Sequence, residues 1–130
     1  MKKFFILLVL LLILLPACGQ TTQNGKEAIY VNITAEEAKQ IMDEETDYVI
    51  LDVRTREEYD QGHIPGATLI PYTEIEARAE EELPDKDQLI LVYCRSGRRS
   101  KLAAEALVEL GYTNIKEFGG IIDWPYEIEQ

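Results

Sequence analysis

The sequence predicts an α/β domain, and three observations predict it. From Ile29 onward, short β-rich runs alternate with amphipathic segments at helical spacing, and several of those segments open at recognisable caps. One run, Leu89-Ile90-Leu91-Val92-Tyr93, is apolar on both faces, as a central parallel strand is. In chain order, residues 29–33 read as a first strand. Thr34 with Glu37 then has the spacing of a capping box, in which the hydroxyl takes the N–H three residues on and the acid reaches back. It opens a helix with Ala35, Ala38, Ile41 and Met42 on one face. Residues 48–53 form the second strand. Thr55 with Glu58 repeats the box, and a short helix runs to Gln61 and stops at Gly62. Residues 67–70 are a brief third strand. Thr73 with Glu76 predicts a third box and a helix to Glu82, and Pro84-Asp85 turns the chain into the central strand. The next helix places Leu102, Ala103, Ala106, Leu107 and Leu110 on one side and ends at Gly111, and residues 114–118 close the domain as a last strand.

Composition excludes several classes of function. The 130 residues carry 13 Lys+Arg against 24 Asp+Glu, a net charge of −11, which argues against nucleic acid as a partner. With 46% apolar residues the chain buries a core of its own, and it is small enough to act as a monomer. Two cysteines and one histidine make neither a four-cysteine metal site nor a paired-imidazole one.

Residues 1–17 read as a lipoprotein signal peptide. Lys2 and Lys3 precede an unbroken apolar run from Phe4 to Leu15, too short to span a bilayer, for which about 20 residues are needed. The run ends in Leu15-Pro16-Ala17-Cys18, which resembles the lipobox of bacterial lipoproteins, where the Cys is diacylated and becomes the first residue after cleavage. An ordinary secretory signal or an uncleaved anchor is the alternative. Residues 18–28 then comprise the lipidated Cys18 and a flexible Gly-, Gln-, Thr- and Asn-rich tether reaching roughly 15–20 Å. The expected location is the cell membrane, lipid-anchored on the extracytoplasmic side, with residues 29–130 as the folded domain.

Chemistry concentrates where the central strand ends. Parallel strands put their carboxyl ends on one edge, so Asp52-Val53-Arg54, the segment from Cys94 to Arg99 and the Gly119-Gly120 turn share that edge. Cys94 precedes a helix by a few residues, and a helix N-terminus with Arg95, Arg98 and Arg99 nearby favours thiolate over thiol. Gly97 lets the loop curl so that its amides aim at sulfur. Arg95, Arg98, Arg99 and Lys101 place four of the 13 basic residues within seven positions, giving an acidic body one basic mouth that attracts small anions. A buried, inert strand-end Cys is the competing reading of the same spacing.

These residues resemble the single-domain rhodaneses, a family of sulfurtransferases. The matching pieces are Leu51-Asp52-Val53-Arg54, Glu58-Tyr59, the Gly62 to Ala67 stretch, Tyr93-Cys94-Arg95-Ser96-Gly97-Arg98-Arg99-Ser100, and the Phe118 to Trp124 stretch. The resemblance implies a five-stranded parallel sheet flanked by helices, with Cys94 as the catalytic, sulfur-carrying residue. It implies that Arg95, Ser96, Gly97, Arg98 and Arg99 cradle a small anionic donor such as thiosulfate, and that a thiol or cyanide-like acceptor removes the sulfur. No cofactor, metal or general base enters this chemistry. Asp52 either orients loop amides or pairs with Arg54, and Arg54 either does that pairing or faces the donor. His63 is expected to hydrogen-bond turn backbone rather than act in catalysis.

Two rivals remain. Cysteine-dependent phosphatases place an Arg six positions after the Cys, where this chain has Ser100, with its basic residue one position earlier at Arg99. A non-catalytic or partner-specific module for binding or relaying sulfur has the same fold. A dithiol redox enzyme fits less well, because lipidation of Cys18 leaves no second thiol.

Overall fold

The computed structural model describes residues 29–130. The signal peptide, the Cys18 anchor and the tether predicted for residues 1–28 lie outside the described residues. The elements run β1 (Val31–Asn32), α1 (Ala35–Glu44), β2 (Tyr48–Asp52), α2 (Arg56–Gln61), β3 (Thr68–Leu69), α3 (Ile75–Glu82), β4 (Leu89–Cys94), α4 (Arg98–Glu109) and β5 (Ile115–Gly120). Short 3-10 turns at Tyr72–Glu74 and Ile121–Asp123 precede α3 and follow β5. The five strands form one sheet in the order β1-β5-β4-β2-β3, and every neighbouring pair is parallel. The doubly apolar run is thus the central strand, as expected.

Strand alternation divides the core between the two faces. Leu51, Val53, Ile90, Val92 and Ile115 meet Ile75 and Ala79 of α3 and Ala103, Ala104 and Leu107 of α4. Ile50, Leu91, Tyr93 and Phe118 meet Ala38 of α1, Ile64 and Trp124 on the other side. Tyr93 and Cys94 therefore point to opposite faces, Cys94 toward α3 and α4.

Both capping boxes at Thr34/Glu37 and Thr55/Glu58 form, with the Thr hydroxyl accepting from the Glu N–H in each. The third box does not. Tyr72 donates its N–H to Val53 O at 3.0 Å, the chain makes a 3-10 turn after Pro71, and α3 starts at Ile75 with Glu74 at its N-cap and no side-chain cap. Burial of Ile75, fully covered by the core, sets that start in preference to the local Thr73 signal. The outer strands β1 and β3 are shorter than expected, two residues each, because each finds only two residues of its single neighbour to pair with. Leu102, expected on the inner side of α4, is 40% exposed, and Ser100 and Ala104 face the sheet instead. The helix starts at Arg98, directly out of the Cys94 loop, and this start sets its phase.

Along most of the β4–β5 pair the register advances evenly, from Ile90 opposite Ile115 to Val92 opposite Glu117. It then jumps so that Cys94 lies opposite Gly120. β5 carries one extra residue there, a bulge in which Gly119 takes a left-handed φ of 86°. The bulge brings Gly120 beside the loop that follows Cys94.

Candidate active site

Cys94 closes β4 and α4 begins four residues later, so the loop between them curls over the sulfur. Gly97 makes the bend with a φ of 109°, a left-handed conformation open to glycine without strain, and its N–H donates to Cys94 Sγ at 3.0 Å. Gly97 is also the N-cap of α4, so the positive end of the helix lies at the sulfur. Ser100 Oγ is 3.3 Å from Sγ on its other side. The thiol is 1% exposed and forms the floor of this cradle.

The loop is braced from behind by β5. A Cβ on Gly120 would come within 1.9 Å of the Arg95 carbonyl oxygen, so only a glycine lets the two backbones approach this closely. Ile122 N–H donates to the same carbonyl at 3.2 Å. Beside the loop lies an open cavity of about 380 Å³, lined among others by Arg54, Glu58, Arg95, Ile121, Ile122 and Ile128.

The basic residues of the loop separate into two kinds. Arg95 and Arg98 are exposed, and among the described residues no carboxylate lies within ion-pair distance of either. Arg99, expected in the anion cradle, is engaged elsewhere: Nη1 and Nη2 donate to Glu58 Oε1 and Oε2 at 2.6 and 2.9 Å, a bidentate pair across to α2. Of the three loop arginines expected to cradle a donor, Arg99 is thus the one whose charge is already paired. The first turn of α4 has Arg98 and Arg99 and no acid, against the preference of a helix N-terminus for negative charge. Stability alone does not favour that arrangement; binding of an anion does.

The Arg99 hydrogen bond, working against burial, holds the Glu58 carboxyl at about 2. A carboxyl depressed in the folded state adds stability above its unfolded value that is lost as pH falls through its folded value. The Glu58 contribution is therefore complete above its ordinary value of 4.5 and is lost as pH falls through about 2. Glu58→Gln is expected to destabilise by about 1–2 kcal/mol at neutral pH. Urea midpoints of the two proteins should converge as the pH is lowered through that window, and a constant gap between them would count against the pair.

Asp52 and Arg54 make the pair that the sequence offered as one alternative. Arg54 is 5% exposed and donates from Nη2 to Asp52 Oδ2 at 2.6 Å and from Nε to Asp52 Oδ1 at 3.0 Å. Its remaining reach goes to the Gly62 carbonyl, 2.7 Å from Nη2. Burial works against the Arg54 charge, but Asp52 outweighs it, and the guanidinium pKa stands above its ordinary value. Asp52 also accepts from the Tyr93 hydroxyl at 2.6 Å, and Tyr93 in turn accepts from Ile64 N–H. Asp52 thus pairs with Arg54 and Tyr93 and accepts only the N–H of Arg54 itself from the backbone. Ser96 is exposed on the loop. His63 makes the backbone bond expected of it, Nδ1 to Tyr59 O at 2.9 Å, with its ring stacked on Tyr59. Sequence reading placed Gly120 on the working edge and Glu58 in a capping box but gave neither its tertiary partner, and it did not single out Glu117, a buried acid discussed below.

A parallel α/β sheet with a thiol at the end of its central strand, held in a tight loop at a helix N-terminus, defines the class of this domain. The chain belongs to the rhodanese-like domain family, whose model matches residues 34–125. It is 44% identical over 73 residues to the thiosulfate sulfurtransferase PspE of Escherichia coli, covering 56% of this chain and 70% of that protein. It is 38% identical over 93 residues to a sulfurtransferase of Allochromatium vinosum, covering 71% of this chain and 85% of that protein. Among solved structures it resembles a rhodanese with anions from E. coli at a TM-score of 0.60 and 38% identity, covering 64% of this chain and 98% of that one.

Proposed function

We propose that the chain is a sulfurtransferase that carries sulfane sulfur as a persulfide on Cys94, taking it from thiosulfate or a similar anion. The observation that carries this reading is Cys94 Sγ at 3.0 Å from the Gly97 N–H, at the start of a helix whose exposed Arg95 and Arg98 have no acidic partner among the described residues. The arginines attract the anionic donor. The Cys94 thiolate attacks the outer sulfur of thiosulfate; a sulfur–sulfur bond forms as the donor's own breaks, and the electron pair leaves with sulfite. The persulfide anion left behind is held by the Gly97 N–H and the helix N-terminus. Cyanide or an acceptor thiol then removes the outer sulfur and regenerates the thiolate.

Intact mass spectrometry tests this directly. Reduced protein treated with thiosulfate is expected to gain the mass of one sulfur, to lose it to cyanide as thiocyanate, and to show neither change as Cys94→Ser. Loading by polysulfide with none by thiosulfate would favour a partner-specific relay over a thiosulfate enzyme. Turnover of an aryl phosphate without sulfur loading would favour the phosphatase.

For the leader we propose export and diacylation at Cys18, supported by the Leu15-Pro16-Ala17-Cys18 sequence after a short apolar run. Expressed in a bacterium fed a labelled fatty acid, the full chain should take up label and sediment with membranes. Cys18→Ala should do neither, and membrane sedimentation of that variant would point to an uncleaved anchor.

A further inference from the structure

Glu117 is an acid in the wrong place for an ordinary strand residue. It lies on β5 opposite Val92, is 2% exposed, and among the described residues no Lys, Arg or His comes within ion-pair distance of it. A buried carboxylate without a cation is costly, so its hydrogen bonds matter. Oε1 accepts from Ser100 Oγ at 2.6 Å and from the Gly119 N–H at 2.9 Å. Ser100 is the same residue whose Oγ lies 3.3 Å from Cys94 Sγ.

The hydroxyl has one proton and three claimants besides sulfur: Glu117 at 2.6 Å, the Gly97 carbonyl at 3.0 Å and the Gly119 carbonyl at 3.4 Å. The Glu117 bond is the shortest of the three and has the strongest claim on that proton. With its proton on that side, Ser100 presents a lone pair to Sγ, a partner for S–H and not for a sulfur anion.

We propose that Glu117 is a positioning residue for Cys94: it takes the Ser100 proton, turns the Ser100 lone pair toward sulfur, and so sets the pH at which the sulfur becomes anionic. A carboxylate two hydrogen bonds away opposes a second negative charge on Sγ. The local route around that opposition is a relay. The S–H bond breaks as Ser100 gains that proton, the former Ser100 O–H breaks, and Glu117 gains an O–H. One negative charge passes from carboxylate to sulfur, and Ser100 becomes a donor to it.

The other titratable groups around Glu117 come from three elements. Ahead of β1, Tyr30 is raised first by burial and then by the charges of Glu105 on α4 and of Glu117. At the start of α4, Arg99 feels the charge of Cys94 but is held by Glu58. β4 contributes Cys94 itself, and Lys116, next to Glu117 on β5, points to the opposite face by strand alternation. None of these supplies a cation to the carboxylate.

This inference rests on Cys94 being the sulfur carrier, but its test reads the thiol's titration and needs no sulfur donor. Ultraviolet thiolate absorption of the full-length chain is followed against pH, with each protein referenced to its Cys94→Ser counterpart. Glu117→Gln keeps the shape and the acceptor for Gly119 while removing the charge. It should move the Cys94 transition to lower pH by about one unit, and the acid limb of any sulfur-transfer profile with it. An unchanged midpoint in folded Glu117→Gln protein overturns the proposal, and a lowered midpoint in protein that takes no sulfur upholds it while removing the sulfurtransferase reading. Should that variant fail to fold, infrared difference spectra of the wild-type chain decide instead. Carboxyl bands absent from the Cys94→Ser reference must change as the thiolate forms, and flat bands across the transition overturn the proposal.

Discussion

Gly120→Ala is expected to cost both stability and sulfur loading, with no change to any residue that touches sulfur. The new Cβ would stand 1.9 Å from the Arg95 oxygen, 2.3 Å from the Arg95 carbonyl carbon and 2.5 Å from the Ser96 nitrogen. All three are backbone atoms, so no side chain can swing aside, and either the β5 bulge or the Cys94 loop must move. Overpacking of this kind costs about 1–3 kcal/mol where a core can adjust, and the upper end applies to a clash with main chain. The loop is the less constrained partner. Its movement withdraws the Gly97 N–H from Sγ, the contact proposed to hold the persulfide. Urea unfolding should therefore show a lower midpoint at unchanged slope, and the folded variant should take up far less sulfur than wild type from the same thiosulfate. Full loading in a folded Gly120→Ala protein would show that the cradle does not depend on this brace.

Asp52→Ala should be the most destabilising single change near the site, by about 3–5 kcal/mol. It removes the only carboxylate paired, among the described residues, with Arg54, which is 5% exposed, and it strips the Tyr93 hydroxyl of its acceptor on the far face of the central strand. A buried guanidinium without its counter-charge is penalised far more than the net worth of the pair, because the desolvation already paid is no longer offset. Single domains have about 5–15 kcal/mol in total, so this loss takes a large share of it. Sulfur loading per folded molecule should nevertheless persist, since neither Asp52 nor Arg54 contacts Cys94. Chemical denaturation gives the first number and mass spectrometry below the new unfolding midpoint gives the second. A variant of wild-type stability that no longer loads would place Asp52 in the chemistry and not in the scaffold.

The amino-acid order alone carried whatever depends on neighbours a few residues apart. Thr34 with Glu37 and Thr55 with Glu58 form their boxes because the partners are three residues apart on a helix start and meet whatever else folds. The central strand was legible from its double apolar face, and Cys94 with Gly97 from the strand-to-helix turn between them. The third box failed where a tertiary demand, the burial of Ile75, outweighed the local signal. Leu102 lost its inward place because the phase of α4 follows from where the loop releases it.

Only the folded arrangement decided which charges at the site are free. Glu58 and Arg99 are 41 residues apart and Ser100 and Glu117 are 17 apart, and each pair meets because α2, α4 and β5 converge on the carboxyl edge of the sheet. The same convergence, with one extra residue in β5, sets Gly120 against Arg95. A short-range bond is specified by spacing along the chain. A long-range one is specified by strand order and register, which no local pattern encodes; hence the place of Cys94 and its Gly97 contact could be read in advance and the long-range partners could not.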